Sequence, residues 1–144
     1  MDPEKVKVLL IEDNPGDVRL TKEVLNDGKL AVDLNVAQDG TEAFAFLRRQ
    51  GKYADAPQPD LILLDLNLPK KNGRKILTEI KDDNNLKHIP VVILTSSEAD
   101  KDIEECYNFQ ANCYTTKPIK PDRFSAIVQI FEDFHFIENF WFTI

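Results

Sequence analysis

The sequence predicts a doubly wound α/β fold, in which helices cover both faces of a parallel sheet. Short runs rich in Val, Ile and Leu alternate along the chain with segments of helical periodicity. Several of these runs are almost continuously apolar, which is typical of parallel strands that are buried on both faces. The chain has 144 residues, enough for one hydrophobic core and too few for a second of similar size.

Five strands and five helices are expected in alternation. The strands are predicted over residues 6–11, 30–37, 61–64, 91–94 and, with a more polar pattern, 112–116. The helices are predicted over residues 15–26, 41–50, 74–81, 100–109 and 122 to about 138. Helix starts are marked by Asn14 before Pro15 and by Asp39 before Gly40, because capping side chains precede first turns.

Composition and charge exclude several classes of protein. No apolar run approaches the roughly 20 residues that a membrane-spanning helix needs. Lys and Arg total 18 against 25 Asp and Glu, and the net charge of -7 has the wrong sign for binding a nucleic acid backbone. The N-terminus has no signal-peptide pattern, so we expect a cytoplasmic protein. Cys106 and Cys113 have no metal-binding spacing and are expected to be reduced thiols.

Residues that could carry chemistry follow the predicted strands, at the sheet edge where open parallel sheets bind ligands. Glu12 and Asp13 follow the first strand, and Asp65 follows the third. Three carboxylates at one edge repel one another, and a hard divalent cation such as Mg²⁺ would relieve that repulsion. Thr95 and Lys117 follow the fourth and fifth strands and offer a hydroxyl and a positive charge that suit a phosphoryl group on a carboxylate. No Gly-rich phosphate loop is present.

Taken together, these residues resemble the receiver domain of two-component response regulators. The matching stretches are VLLIEDN at 8–14, PDLILLDLNLPKKNG at 59–73, VVILTSS at 91–97 and YTTKPI at 114–119. The resemblance implies a flavodoxin-like sheet of strand order 2-1-3-4-5. It divides the chain into a receiver domain, residues 1–131, and an aromatic extension of the last helix, residues 132–144. The pattern is similar to that of stand-alone response regulators paired with cyanobacterial and bacterial phytochromes.

The resemblance also implies a phosphoacceptor and a metal site. A histidine of a sensor histidine kinase or of a phosphotransfer protein would donate a phosphoryl group to Asp65. Asp13, Asp65 and the backbone carbonyl of Asn67 would ligate Mg²⁺, and Glu12 would reach the ion through water. Asp17, in the first turn of the first helix, is interpreted as an acid stabilised by the helix dipole, and the alternative is that it reaches the metal region through water.

Residues beyond the acceptor have implied roles in binding and response. Lys117 would pair with the acceptor and its phosphoryl group, and the peptide bond from Lys117 to Pro118 is expected to be cis. Thr95 would bond the phosphoryl group once it is present. Tyr114 occupies the position of the family's aromatic switch residue, and Gly73 belongs to the loop after the acceptor strand.

The C-terminal aromatic residues predict contact between two copies of the chain. Six of the 13 aromatic residues lie within the last 14 positions. One apolar stripe of the last helix is expected to face the sheet, namely Phe124, Ile127, Val128 and Phe131. A second stripe is expected to form a homodimer, namely Ile130, Phe134, Ile137 and Trp141. The alternative is a tail that folds back over its own domain.

Two other functions stay open at this point. An aspartate-nucleophile phosphohydrolase also combines Asp with Mg²⁺, but it commonly uses an acid two residues after the nucleophile, where this chain has Asn67. A binding-only pseudo-receiver would lack at least one of Asp13, Asp65, Thr95 and Lys117. We therefore expect a signalling protein that catalyses only its own phosphorylation and dephosphorylation, rather than an enzyme.

Overall fold

The computed structural model describes residues 5–28, 30–66, 73–95, 113–117, 119–133 and 142–143. The described residues form one sheet in which every neighbouring pair of strands is parallel. Its strands are β1 (Val6–Ile11), β2 (Val32–Ala37), β3 (Leu61–Asp65), β4 (Val91–Thr95), β5 (Cys113–Thr116) and β6 (Phe142–Thr143). The spatial order is β2-β1-β3-β4-β5-β6, which confirms the predicted order of the first five strands.

The register of the sheet brings the strand ends to one edge. Ile11 is the last residue of β1 and pairs with Leu64 of β3, so the residues that follow both strands emerge side by side. Asp65 pairs in turn with Leu94 of β4. Thr95 pairs with Thr116 at the end of β5. The sheet therefore presents its functional candidates along one carboxyl edge, as open parallel sheets do.

Four α-helices lie within the described part of the chain. They are α1 (Pro15–Asp27), α2 (Gly40–Leu47), α3 (Gly73–Asp82) and α4 (Pro121–Asp133), and a short 3-10 turn covers Gly51–Tyr53. The helix predicted over residues 100–109 lies outside the described residues. Among the helices that are described, none has the length and apolar character needed to cross a membrane.

Local signals explain where the first two helices begin and where the second one ends. The Asn14 side chain accepts a hydrogen bond from the Asp17 amide at 3.1 Å, and Asp39 accepts one from the Glu42 amide at 2.8 Å. The second helix was predicted to continue to residue 50 but ends at Leu47. Arg49 has a φ of 54°, in the left-handed region that terminates helices.

Two apolar clusters cover the two faces of the sheet, as the almost continuous apolar runs predicted. Leu9 and Ile11 of β1 belong to the cluster that also contains the buried residues of α2 and α3. Val8 and Leu10, which alternate with them, point to the opposite face. That second cluster includes the buried residues of α1 and α4, among them Phe124, Ile127 and Val128 of the predicted sheet-facing stripe. The fold is therefore a doubly wound α/β domain.

The C-terminal segment adds a strand that was not predicted. Phe142 pairs with Cys113 and Thr143 pairs with Tyr114, so β6 lies along the outer edge of β5. At these two residues the aromatic extension is a strand rather than a continuation of the last helix. Pairing gives β5 a second neighbour and satisfies backbone groups that an edge strand would leave to solvent.

Candidate functional site

Two buried carboxyl groups lie at the carboxyl edge of the sheet. Glu12 follows β1 and its residue is 1% exposed, and Asp65 ends β3 and is 4% exposed. Asp13 stands next to Glu12 and is exposed to solvent. Carboxylate oxygens of the three residues lie within 4.8 Å of one another. The structure thus brings together the three acids that the sequence singled out.

A lysine that follows β5 contacts two of these acids. The Nζ atom of Lys117 lies 2.7 Å from Glu12 Oε1 and 3.2 Å from Asp65 Oδ2. The backbone amide of Lys117 donates a hydrogen bond of 2.8 Å to the carbonyl oxygen of Thr95, which fixes the position of the lysine after β5. Lys117 thus pairs with Asp65, the predicted acceptor, and its shortest contact is with Glu12.

A third carboxylate contacts the same lysine, and the sequence did not reveal this contact. Asp17 Oδ2 lies 3.1 Å from Lys117 Nζ, whereas the sequence favoured an acid stabilised by the helix dipole and offered an approach to the metal region through water as the alternative. Asp17, Leu20 and Thr21 all line the cavity at the site. Their spacing of three and four residues places them on one face of α1, and this periodicity is the signal that could have identified them.

The electrostatics of the site follow from burial and from neighbouring charges. Burial and the adjacent Asp65 carboxylate raise the pKa of Glu12 to about 7, although Lys117 opposes the shift. Burial alone would lower the pKa of Lys117, but hydrogen bonds to Glu12 and Asp17 and the negative charge of Asp65 raise it. The ammonium group therefore stays charged. Burial, together with the neighbouring Asp65, thus favours the protonated form of Glu12 more than in an exposed carboxyl group.

This arrangement fits a divalent cation. Clustered carboxylate oxygens are the donors that Mg²⁺ prefers. The acids line an open cavity of about 520 Å³, together with residues of α1 and of the ends of β4 and β5. This cavity has room for a small cation and for a phosphoryl group beside the carboxylates.

The remaining predicted site residues do not line this cavity or lie outside the described residues. Thr95 is buried at the end of β4, but among the described residues it does not line the cavity. Tyr114 is half-buried on β5 and packs against the cluster on the α2 and α3 face. Asn67 and Pro118 lie outside the described residues, so the predicted metal-binding carbonyl and cis peptide stay predictions.

Gly73 brings the start of α3 against the end of β3. Its amide donates a hydrogen bond of 3.1 Å to the carbonyl oxygen of Leu66. A Cβ atom at position 73 would lie 2.6 Å from the carbonyl oxygen of Asp65 and 2.8 Å from the Leu66 Cα atom. Only glycine fits at this distance without displacement of one backbone or the other. Gly73 is the first residue of α3, and because it has no side chain the helix can approach the end of β3 this closely.

The raised pKa of Glu12 predicts that, without divalent cations, the free energy of unfolding falls as the pH rises from about 5 to about 8. Between 4.5 and about 7 the folded chain binds this proton more tightly than the unfolded chain. The stabilising contribution is thus present below pH 4.5 and is lost as the pH rises through 7. Glu12→Gln should remove this part of the pH dependence and be about 1–2 kcal/mol more stable than wild type at pH 8.

Urea unfolding followed by circular dichroism at several pH values tests this prediction. Glu23→Gln is the matched control, because Glu23 is an exposed acid on α1 away from the cavity. Parallel stability curves for the wild type and Glu12→Gln would contradict the prediction. Added Mg²⁺ should flatten the wild-type curve, since a bound cation favours the ionised carboxylates.

The chain matches a protein family over most of its length. The family model of the response regulator receiver domain matches residues 8–129. Response regulator Rcp1 of Synechocystis sp. is 45% identical over 140 residues, which cover 97% of this chain and 90% of that protein. These values greatly exceed the similarity that would indicate a shared fold alone.

Solved structures of similar proteins agree with this assignment. The Mn(2+)-bound form of Rcp1 has 47% identity and a TM-score of 0.72, with 90% of this chain and 93% of that chain covered. The phosphorylated cyanobacterial phytochrome response regulator RcpA has 46% identity and a TM-score of 0.73, with 92% and 94% covered. The bacteriophytochrome response regulator AtBRR has 41% identity and a TM-score of 0.78, with 88% and 92% covered. This chain, related to phytochrome response regulators, belongs to the response regulator receiver domain family.

Proposed function

We propose that this response regulator accepts a phosphoryl group on Asp65 from a phosphohistidine of a sensor kinase or phosphotransfer protein. The observation that carries the proposal is the position of Lys117 Nζ, 3.2 Å from Asp65 Oδ2 at the wall of an open cavity. A carboxylate oxygen of Asp65 forms a bond to phosphorus while the bond from phosphorus to the histidine nitrogen breaks, and the imidazole keeps that electron pair. Lys117 stabilises the charge on the transferred group.

The acids beside the acceptor supply a site for Mg²⁺. Asp13 and Asp65 would ligate the ion through their carboxylates and Asn67 through its carbonyl, with Glu12 bound through water. When bound, the ion neutralises charge on the phosphoryl oxygens. The clustered carboxylate oxygens support this assignment.

The response to phosphorylation is proposed to be conformational. The Thr95 hydroxyl would move toward the new phosphoryl oxygens, and Tyr114 would change its packing as the space beside Thr95 changes. The two residues lie on neighbouring strands, with Ile93 paired to Tyr114 and Thr95 paired to Thr116. A movement at the end of β4 is thus transmitted directly to β5.

Incubation with acetyl phosphate and Mg²⁺ tests the acceptor function. We expect the intact mass to increase by one phosphoryl group, and EDTA to prevent the increase. An unchanged mass together with turnover of unrelated phosphate esters would instead favour the phosphohydrolase alternative.

Phosphotransfer profiling against a panel of histidine kinases identifies the donor. The cyanobacterial phytochrome response regulator RcpA and the bacteriophytochrome response regulator AtBRR are among the similar structures. We propose a phytochrome kinase as the donor on the basis of this similarity. Faster transfer from kinases that have no phytochrome sensor would contradict that partner while leaving the acceptor function intact.

We further propose that the C-terminal segment pairs two copies of the chain. The aromatic composition of the last 14 residues supports this, with Ile130, Phe134, Ile137 and Trp141 as the proposed contacts. Of these, Phe134, Ile137 and Trp141 lie outside the described residues. Sedimentation of the full chain should give a dimer mass, and a chain that ends at Asp133 should give a monomer mass. Equal monomer masses would exclude the dimer.

A further inference from the structure

Lys117 contacts three carboxylates, with hydrogen bonds to Glu12 and Asp17 and an ion pair with Asp65. Glu12 lies 2.7 Å from Nζ, Asp17 lies at 3.1 Å and Asp65 lies at 3.2 Å. An ammonium group donates three hydrogen bonds and accepts none. In the unphosphorylated protein the lysine thus already contacts three carboxylates, and phosphoryl oxygens on Asp65 would compete with them for it.

The three partners differ in how easily they can be released. The side chains of Glu12 and Asp65 are 1% and 5% exposed, whereas the side chain of Asp17 is 38% exposed. A buried carboxylate that loses its cation has little water to replace it, and an exposed carboxylate is readily hydrated. Asp17 is therefore the partner whose release costs least.

Local hydrogen bonds hold Asp17 in position for this contact. Its amide donates to the Asn14 side chain at 3.1 Å, and the Asn14 amide donates to Glu12 Oε2 at 3.4 Å. The first turn of α1 and the loop after β1 are thus connected, and both direct carboxylates at the same nitrogen. This connection fixes where Lys117 lies while the acceptor is unmodified.

We propose that Asp17 is a positioning residue that holds Lys117 when Asp65 is free and releases it when Asp65 is phosphorylated. The inference rests on the proposed acceptor function. A phosphoryl group on Asp65 adds oxygens and negative charge beside Nζ, and the lysine turns to them. Asp17 then loses its partner. Its carboxylate consequently favours the unphosphorylated state over the phosphorylated one.

Binding of beryllium fluoride, a phosphoryl mimic that attaches to a carboxylate, tests the proposal. Isothermal titration with Mg²⁺ present should show about twofold to fivefold tighter binding to Asp17→Asn than to wild type, the range expected for a partly exposed ion pair. Asp17→Glu keeps the charge and should restore binding close to that of wild type. Circular dichroism confirms that each variant is folded.

Two further variants separate a specific contact from a general effect of charge. Glu23→Gln removes the same charge from an exposed position on α1 and should leave binding unchanged. In a Lys117→Met background, Asp17→Asn should no longer tighten binding, because the lysine through which Asp17 acts is gone. Equal tightening in Glu23→Gln, or tightening that persists without Lys117, would overturn the proposal.

The remaining outcomes are also decisive. Unchanged binding to Asp17→Asn would show that the contact does not oppose phosphorylation, and weaker binding would show that Asp17 assists the cation. Either result overturns the inference while the acceptor function stands. Failure of the wild type to bind beryllium fluoride at all would instead overturn the proposed function itself.

Discussion

Asp65→Asn should abolish phosphorylation of the chain by acetyl phosphate and leave the fold intact. The amide oxygen of asparagine is a poor nucleophile, so we expect the rate of phosphorylation to fall at least about a hundredfold. The fold should persist because asparagine has nearly the same volume, and because removal of one negative charge relieves the repulsion that raises the pKa of Glu12. Intact-mass spectrometry after incubation with acetyl phosphate and Mg²⁺ measures the effect.

Asp55→Asn is the matched control for this experiment. Asp55 is an exposed aspartate in the turn after the 3-10 segment Gly51–Tyr53, and it does not line the cavity at the site. This variant should be phosphorylated like the wild type. Phosphorylation of Asp65→Asn to the wild-type extent would show that the phosphoryl group attaches elsewhere.

Lys117→Met should have the second largest effect, because it removes the cation that contacts three carboxylates. Loss of one partner from a largely buried ion pair should lower the free energy of unfolding by about 3 kcal/mol at pH 8. The loss should be smaller at pH 6, where Glu12, whose pKa is already raised to about 7, takes up a proton and reduces the uncompensated charge. Urea unfolding at the two pH values in EDTA measures both effects.

The same substitution should slow phosphorylation by about 100-fold to 1,000-fold, the range for removing a group that stabilises developing charge. Lys117→Arg should recover much of the stability but little of the rate, because the planar guanidinium cannot occupy the position of a compact ammonium group. Lys22→Met, at an exposed position of α1, is the control for loss of one positive charge. A variant with wild-type stability at both pH values would contradict the role assigned to Lys117.

Patterns local to the sequence were sufficient for most of the fold. The described strands β1 to β5 lie within two residues of their predicted bounds, since continuous apolar runs mark strands that are buried on both faces. The end of α2 was wrong because it depends on the left-handed backbone of Arg49, for which arginine gives no signal. Strand β6 was not predicted because a two-residue strand exists only through its pairing with β5.

The site was predictable where it depends on strand ends and unpredictable where it depends on distant side chains. The acids and the lysine were found because the fold places the ends of parallel strands together. The shorter contact of Lys117 with Glu12, 105 positions away in the chain, depends on side-chain geometry that no sequence pattern encodes. The contact with Asp17 spans 100 positions, and only the helical spacing of Asp17 with Leu20 and Thr21 indicates that Asp17 faces the site.

The contact at Gly73 has a mechanical consequence for the acceptor. No side chain separates the first residue of α3 from the peptide group of Asp65, so a displacement of the helix axis acts on the acceptor strand without an intervening compressible layer. A macromolecule that pushes against α3 would therefore shift Asp65 itself. Such a linkage between rigid backbones would survive replacement of the neighbouring side chains and would be lost when position 73 acquires one.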